Sequence, residues 1–247
     1  MNNLPEEIIC HIINYLDNTV DVINFSLSNK FYKNLIVKNR EIFNCIYKID
    51  NKYINEIDKL TIIGKLKVDI NNSNITDLSI LKNVEELNLS NCINITDLSI
   101  LKNVKKINLS WCNISDVSML RNCEELNLTG CKNVIDLSML GEVEELNLFN
   151  CYNITNTSML GNVKKLNLSH CYNITDVGNL INCEELDLSY CKKIKDVSML
   201  GNVKKLNLSN CKNITDVSML VNVEELILSD CVNIKDIGIL KNVKLVL

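Results

Sequence analysis

Apolar and polar positions recur along most of this chain with a period close to twenty residues. In residues 84–103, VEELNLSNCINITDLSILKN, apolar side chains fall at Val84, Leu87, Leu89, Cys92, Ile95, Leu98 and Leu101. Leu87 returns as Ile107, Leu126, Leu146, Leu166, Leu186, Leu206, Leu226 and Leu245, each 19 or 20 residues after the last. One earlier copy starts at Val68, which makes about nine units and a stub, Leu245-Val246-Leu247. A fixed period of this length predicts a solenoid, because one unit cannot bury its own apolar face and must stack on its neighbours. Leucines alternate with Asn88 at the start of the unit, so a short strand is predicted with leucines inward and asparagine outward. Residues 84–95 leave only 96–103 for the return, too few for an α-helix and its turns, so turns or 3-10 pieces are expected on the convex side. Thr96-Asp97 and its copies suit caps for that turn, with Leu98 and Leu101 closing the core behind the sheet.

The outward columns divide into constant and variable ones. Asn88, Asn108, Asn127, Asn147, Asn167 and Asn207 align, with Asp187 once in their place, and such a stack can bond side chain to side chain along the sheet. Beside it, Glu85-Glu86, Lys105-Lys106, Glu124-Glu125, Glu144-Glu145, Lys164-Lys165 and Glu184-Glu185 mostly alternate in sign, which supports register rather than catalysis. The position before the repeated cysteine varies: Asn91, Trp111, Gly130, Asn150, His170, Tyr190, Asn210, Asp230. With Phe149 for the usual serine, and Tyr152 and Tyr172 after the cysteine, it collects Trp111, Phe149, Tyr152, His170, Tyr172 and Tyr190 in or beside the concave sheet. Exposed aromatics at the middle of a curved surface suit a target-protein site; the plainer account is drift at tolerant loop positions.

The pattern V-x-x-L-x-L-x-x-C-x-N-I resembles the leucine-rich repeat in its cysteine-containing form, over roughly three quarters of the chain. It implies a parallel sheet on the concave side, hence an α/β class overall with a small helical head. Composition agrees with stacked aliphatic columns: 47% of residues are hydrophobic but only 5% aromatic. Net charge is −4, so no basic face for nucleic acid is expected. No apolar run approaches the roughly 18 residues that span a bilayer, and Glu6, Glu7 and His11 interrupt the first one, which is unlike a signal peptide. Of the 12 cysteines, Cys92, Cys112, Cys131, Cys151, Cys171, Cys191, Cys211 and Cys231 follow the repeat, while Cys123 and Cys183 replace valine. Ten are thus exchangeable with small core residues, and parallel side chains at strand spacing do not match disulfide geometry. No C-x-x-C pair or cysteine–histidine cluster suggests zinc. Buried thiols, and N-x-S/T triplets crowded at strand spacing, favour a reducing compartment, cytoplasmic or nuclear.

Residues 1–40 lack the repeat. Leu4-Pro5-Glu6-Glu7 begins a predicted helix with proline in its first turn, and Ile8, Ile9, Ile12, Ile13 and Leu16 give it a broad apolar face. Two more short helices follow, around Val20 to Leu27 and Phe31 to Ile36, leaving more apolar surface than three short helices hide. The run Leu4, Pro5, Glu7, Ile8, Ile9, Ile12, Leu16, then Ser26, Leu27 and Phe31, resembles an F-box, with phenylalanine where many members have tryptophan. The resemblance implies that Leu4, Pro5, Glu7, Ile8, Ile9, Ile12 and Leu16 dock onto the Skp adaptor of a cullin–RING ubiquitin ligase. A helical cap that merely seals the solenoid is the alternative. Residues 41–67 are expected to bridge the head to the solenoid at 68–247 and cap it: 41–60 have helix-compatible apolar spacing at Ile42, Cys45, Ile46, Ile49, Tyr53, Ile54 and Ile57, and Ile62, Ile63 and Leu66 suit an irregular first strand.

With two histidines in unrelated modules and no phosphate loop, dinucleotide glycines or zinc-protease helix, no enzyme activity, cofactor or metal is expected. The expectation is a substrate receptor: the head holds Skp and the repeats hold a protein for ubiquitylation. Its rivals are a free-standing binding protein similar to the ribonuclease-inhibitor type, and a decoy that occupies Skp without delivering a target. Compact proteins of this kind are similar to ones found in large DNA viruses.

Overall fold

The computed structural model describes residues 46–48, 66–82 and 84–247. The residues expected to meet Skp, at positions 4–16, and the F-box expectation for 1–40, lie outside that range. In it, eleven strands form one parallel sheet in chain order: β1 (Ile46–Lys48), β2 (Leu66–Asp69), β3 (Val84–Asn88), β4 (Lys106–Asn108), β5 (Glu125–Asn127), β6 (Glu145–Asn147), β7 (Lys165–Asn167), β8 (Glu185–Asp187), β9 (Lys205–Asn207), β10 (Glu225–Ile227) and β11 (Lys244–Val246). Register follows the period directly, since Leu87 pairs with Ile107, Ile107 with Leu126 and Leu126 with Leu146. The one irregularity is a register shift between Leu66 and Lys67 where β2 meets β3.

Each unit contributes the same apolar residues to a single continuous core. Leu126, Leu128, Cys131, Val134, Leu137, Leu140 and Val143 are all buried, and their equivalents stack above and below. The return is made of tight turns, with 3-10 segments at Ser79–Leu81, Ser99–Leu101, Ser118–Leu120 and Ser198–Leu200, as the eight-residue return requires. No α-helix occurs among the described residues. The aspartate, not the threonine before it, organises each turn: Asp97 Oδ1 accepts the Ser99 backbone N–H at 2.8 Å, and Asp136, Asp196 and Asp216 repeat this with Ser138, Ser198 and Ser218. Thr157 occupies an inward Leu98-type position, and its hydroxyl donates to the Asp176 carbonyl at 2.9 Å, so the buried polar atom is satisfied.

The cysteines occupy core positions. All ten within the described residues are buried free thiols. Each in the main column donates Sγ–H to a backbone carbonyl of the preceding unit, for example Cys131 to Leu109 at 3.1 Å and Cys211 to Leu188 at 3.0 Å. In the first unit Ser73 stands in the cysteine's place, its Oγ 3.3 Å from Cys92 Sγ.

Two expectations change. Ile46–Lys48 lies in the segment expected to be helical, yet it forms β1, parallel to β2. Its Ile-Tyr pair suits a strand, and the open edge of β2 offers the stronger demand, a row of unpaired backbone groups. The concave asparagines mostly do not bond to one another. Asn127 Oδ1 and Asn167 Oδ1 accept the backbone N–H two residues on, at Thr129 and Ser169, and so fasten the end of their own strand. Unit-to-unit bonding runs along a different asparagine column, where Asn153, Asn173, Asn213 and Asn233 donate Nδ2–H to the carbonyls of Lys132, Tyr152, Lys192 and Lys212.

Candidate functional site

Three residues after each strand the chain must leave the sheet, and it does so through the left-handed region. Asn91, Asn150, Asn210 and Asp230 take φ between 59° and 60° there, and Gly130 takes 68°. These residue types tolerate that region, whereas bulky side chains rarely enter it. Trp111 (φ 62°), His170 (φ 60°) and Tyr190 (φ 61°) occupy the same column. The backbone ladder continues through them, with His170 N–H donating to Ser189 O at 2.9 Å and Tyr190 N–H to Ser209 O at 2.8 Å. The turn itself therefore asks only for a small or polar residue.

His170 is the hub of a ring cluster along this edge. It stacks on Tyr190 with centroids 4.2 Å apart and planes at 17°, while the Phe149 ring meets it edge-on at 5.1 Å. Tyr172 also lies edge-on, at 5.7 Å, and its hydroxyl is 2.7 Å from His170 Nδ1, one donating and the other accepting. Lys192 Nζ lies 5.5 Å from the centre of the Tyr172 ring. Tyr152 carries Lys132 in the same way at 5.6 Å. Trp111 stands apart because Gly130 and Asn150 separate it from His170 in the column. Its ring lies over Gly130, where a Cβ would come within 2.4 Å of Trp111 Cε3, so the glycine both turns the chain and makes room for the indole. Trp111 is 43% exposed and Tyr190 37%, and the other four aromatics are half-buried. The structure thus joins Phe149, His170, Tyr172 and Tyr190, leaves Trp111 and Tyr152 as outliers, and sets all six beside the concave sheet rather than on it. Sequence reading missed Gly130, Lys132 and Lys192; the stacking of His170 on Tyr190 was readable from their separation by one period.

The concave face is charged but internally paired. Lys105 and Lys106 reach Glu124 and Glu125, Lys164 and Lys165 reach Glu144 and Glu145, and Lys204 and Lys205 reach Glu184 and Glu185. These bonds raise the lysine pKa values above the ordinary range and lower those of Glu184 and Glu185. Alternation fails once, where Glu125 of β5 faces Glu145 of β6. Among the described residues no group of three or more His, Cys, Asp or Glu side chains could hold a metal ion, and no helix is long and apolar enough to cross a membrane. Burial pushes the thiols of Cys131, Cys151 and Cys171 up to about 12, away from the thiolate that cysteine chemistry requires. The arrangement presents rings, amides and paired charges, which can bind.

The described residues form a leucine-rich-repeat solenoid. A family model described as Leucine Rich repeat matches residues 101–120, one period of the chain. Among solved structures, the chain is similar to TLR13 in its complex with ssRNA13, with TM-score 0.53 and 18% identity, covering 92% of this chain and 34% of that one. It is also similar to the functional domain of InlJ from Listeria monocytogenes, which includes a cysteine ladder (TM-score 0.46, 20% identity, 76% of this chain and 53% of that one). Internalin C2 of the same organism has TM-score 0.45 and 20% identity, over 91% of this chain and 96% of that one. The chain thus spans about half of the InlJ domain's length and a third of TLR13's. No curated protein sequence matches it.

Proposed function

We propose that this chain is a non-catalytic protein-binding scaffold: the ring cluster holds a target protein, and residues 1–40 dock onto the Skp adaptor of a cullin–RING ubiquitin ligase. The observation that supports target binding is the mounting of Trp111 and Tyr190 on left-handed turns that asparagine, aspartate or glycine serve elsewhere in the same column. A bulky residue there costs about 1–2 kcal/mol. A chain that needed only to turn would not retain it, and exposed Trp and Tyr are the side chains that dominate binding interfaces. The docking half rests on the sequence, on Leu4, Pro5, Glu7, Ile8, Ile9, Ile12 and Leu16 in F-box order. In this reading the protein works in the cytoplasm or nucleus, and its contribution to ubiquitylation is proximity, bringing a target lysine beside the ligase.

Pull-down of purified Skp by the full chain tests the docking half. The wild type is expected to capture Skp and the Leu4→Ala/Pro5→Ala variant to lose at least tenfold; equal capture by both, or by neither, would remove the ligase reading. The target half is tested separately with Trp111→Asn and Tyr190→Asn, which use the residue that the turn already accepts at Asn91 and Asn210. An unchanged set of interactors in these variants would count against the ring cluster.

A further inference from the structure

The return face of the solenoid carries an apolar stripe that the ring cluster does not explain. From residue 138 on, the turn's third residue (Leu140, Leu160, Leu200, Leu220, Leu240) is buried and the second faces outward, whereas Ile100 and Met119 of the earlier units pack half-buried against the core. That second position holds Met139, Met159, Met199, Met219 and Ile239, exposed by 40 to 60%. Asn179 interrupts the series once. Two positions further on, the first units carry Lys82, Lys102 and Arg121 and the last carries Lys241. Over the units between, that column changes to Gly141, Gly161, Ile181, Gly201 and Val221, so the cations disappear where the methionines are most exposed. The glycines also bring successive turns together, since a Cβ on Gly141 or Gly201 would stand 2.4 Å from the carbonyl oxygen of Met159 or Met219. Stacking the repeats requires only the buried leucine, and any polar residue would serve beside it. An exposed band of flexible, polarizable side chains, broken once by Asn179 beside the exposed Ile181, is characteristic of docking surfaces.

Charge says what fits there. Along one side of the stripe runs the turn's aspartate, Asp136, Asp176, Asp196, Asp216 and Asp236, with Asn156 once in its place and Lys195 and Lys235 as the cations interspersed in that row. Each carboxylate is fixed by the backbone N–H two residues on, at 2.8 or 2.9 Å, so the row is held at regular spacing beside the apolar band. Neighbouring units repeat at about 4.8 Å, and an α-helix climbs 5.4 Å per turn. A helix laid lengthwise therefore meets one unit with each turn, and about thirteen residues reach from Met139 to Met219. The geometry points to a docking groove for a basic amphipathic helix, its apolar face on the methionine stripe and its lysines or arginines along the aspartate row.

The test uses the full chain and a fourteen-residue amphipathic peptide of leucine and lysine, with a leucine–glutamate peptide as counterpart, followed by fluorescence anisotropy. Met159→Gln/Met199→Gln/Met219→Gln keeps side-chain length at exposed positions. Asp176→Asn/Asp196→Asn/Asp216→Asn removes charge while keeping the turn, as Asn156 already does by accepting the Ser158 N–H at 2.9 Å. Circular dichroism verifies that both variants fold. The expected result is binding of the lysine peptide alone, at least tenfold weaker in the glutamine variant. In the asparagine variant binding is severalfold weaker and less sensitive to salt. Tyr190→Asn should leave it unchanged, which separates this face from the ring cluster. Equal affinity for wild type and glutamine variant, or no binding to the wild type, overturns the proposal. A dimer in sedimentation that the glutamine variant abolishes would assign the stripe to a second copy and overturn it equally.

Discussion

At the scale of single residues, the left-handed column is the most exacting feature of the chain. Asn150→Gly should shift stability by only a few tenths of a kcal/mol, whereas Asn150→Val should cost about 1–2 kcal/mol, because a β-branched side chain at φ 60° collides with its own carbonyl. Urea midpoints at constant slope would check both. Gly130→Ala should cost about 2 kcal/mol alone and about half that in a Trp111→Ala background, since part of the penalty is the indole that a Cβ would strike. A double-mutant cycle that came out additive would mean that the ring gives way freely. Part of this is legible in the sequence itself. One column holding Asn, Gly and Asp in successive units carries the composition of a positive-φ turn, and only the unexpected Trp, His and Tyr hide it. What the sequence does not supply is direction: the rings rim the sheet because the left-handed turn comes after the strand has ended.

At the scale of the element, strand, turn and cysteine column behave as expected, for they depend only on period. The asparagine ladder lies in a different column from the expected one because most units carry an asparagine in both columns, and alternation does not say which one reaches its neighbour. The three residues of β1 depart from the helical expectation because a local apolar spacing yields to the unpaired edge of β2. The thiol column makes a distinctive claim about alkali. A cysteine in the unfolded chain ionises near pH 8.5. Cys131, Cys151 and Cys211 in the fold are pushed up to about 12 by burial. A raised folded pKa gives stability that is complete below the unfolded value and is lost as pH climbs from there through the folded one. Each pH unit inside that window removes about 1.4 kcal/mol per thiol. The urea midpoint should hold from about pH 6 to 8 and fall steeply between about pH 8.5 and 10, below the ordinary lysine pKa. Iodoacetamide at pH 8 should label these cysteines only as fast as the protein unfolds. At the acid end, Asp97, Asp136 and Asp216 have pKa values lowered chiefly by the backbone N–H each accepts, so their contribution is lost as pH falls below about 4.

For the whole molecule, a chain of nearest-neighbour contacts replaces a globular core, so damage should stay local. Leu148→Ala, at a fully buried position in the middle of the solenoid, should cost about 3 kcal/mol. It should also broaden the urea transition, because the two halves then melt semi-independently; a shift of the midpoint at unchanged slope would show instead that the array is strictly cooperative. The ion pairs are half-exposed and each contributes a few tenths of a kcal/mol at most, but their arrangement is uneven. Lysines on β4 draw Glu124 and Glu125 one way, and lysines on β7 draw Glu144 and Glu145 the other. Between β5 and β6 no lysine–glutamate pair crosses among the described residues, although the backbone bonds are continuous. Among the described residues no lysine–glutamate pair crosses between β7 and β8 or between β9 and β10 either, but there unlike charges still face each other, whereas between β5 and β6 Glu125 faces Glu145. Stretched end to end in an optical trap, the solenoid should accordingly tear first along that joint, and Glu145→Gln, by removing one carboxylate of the facing pair, should raise the force at which it parts.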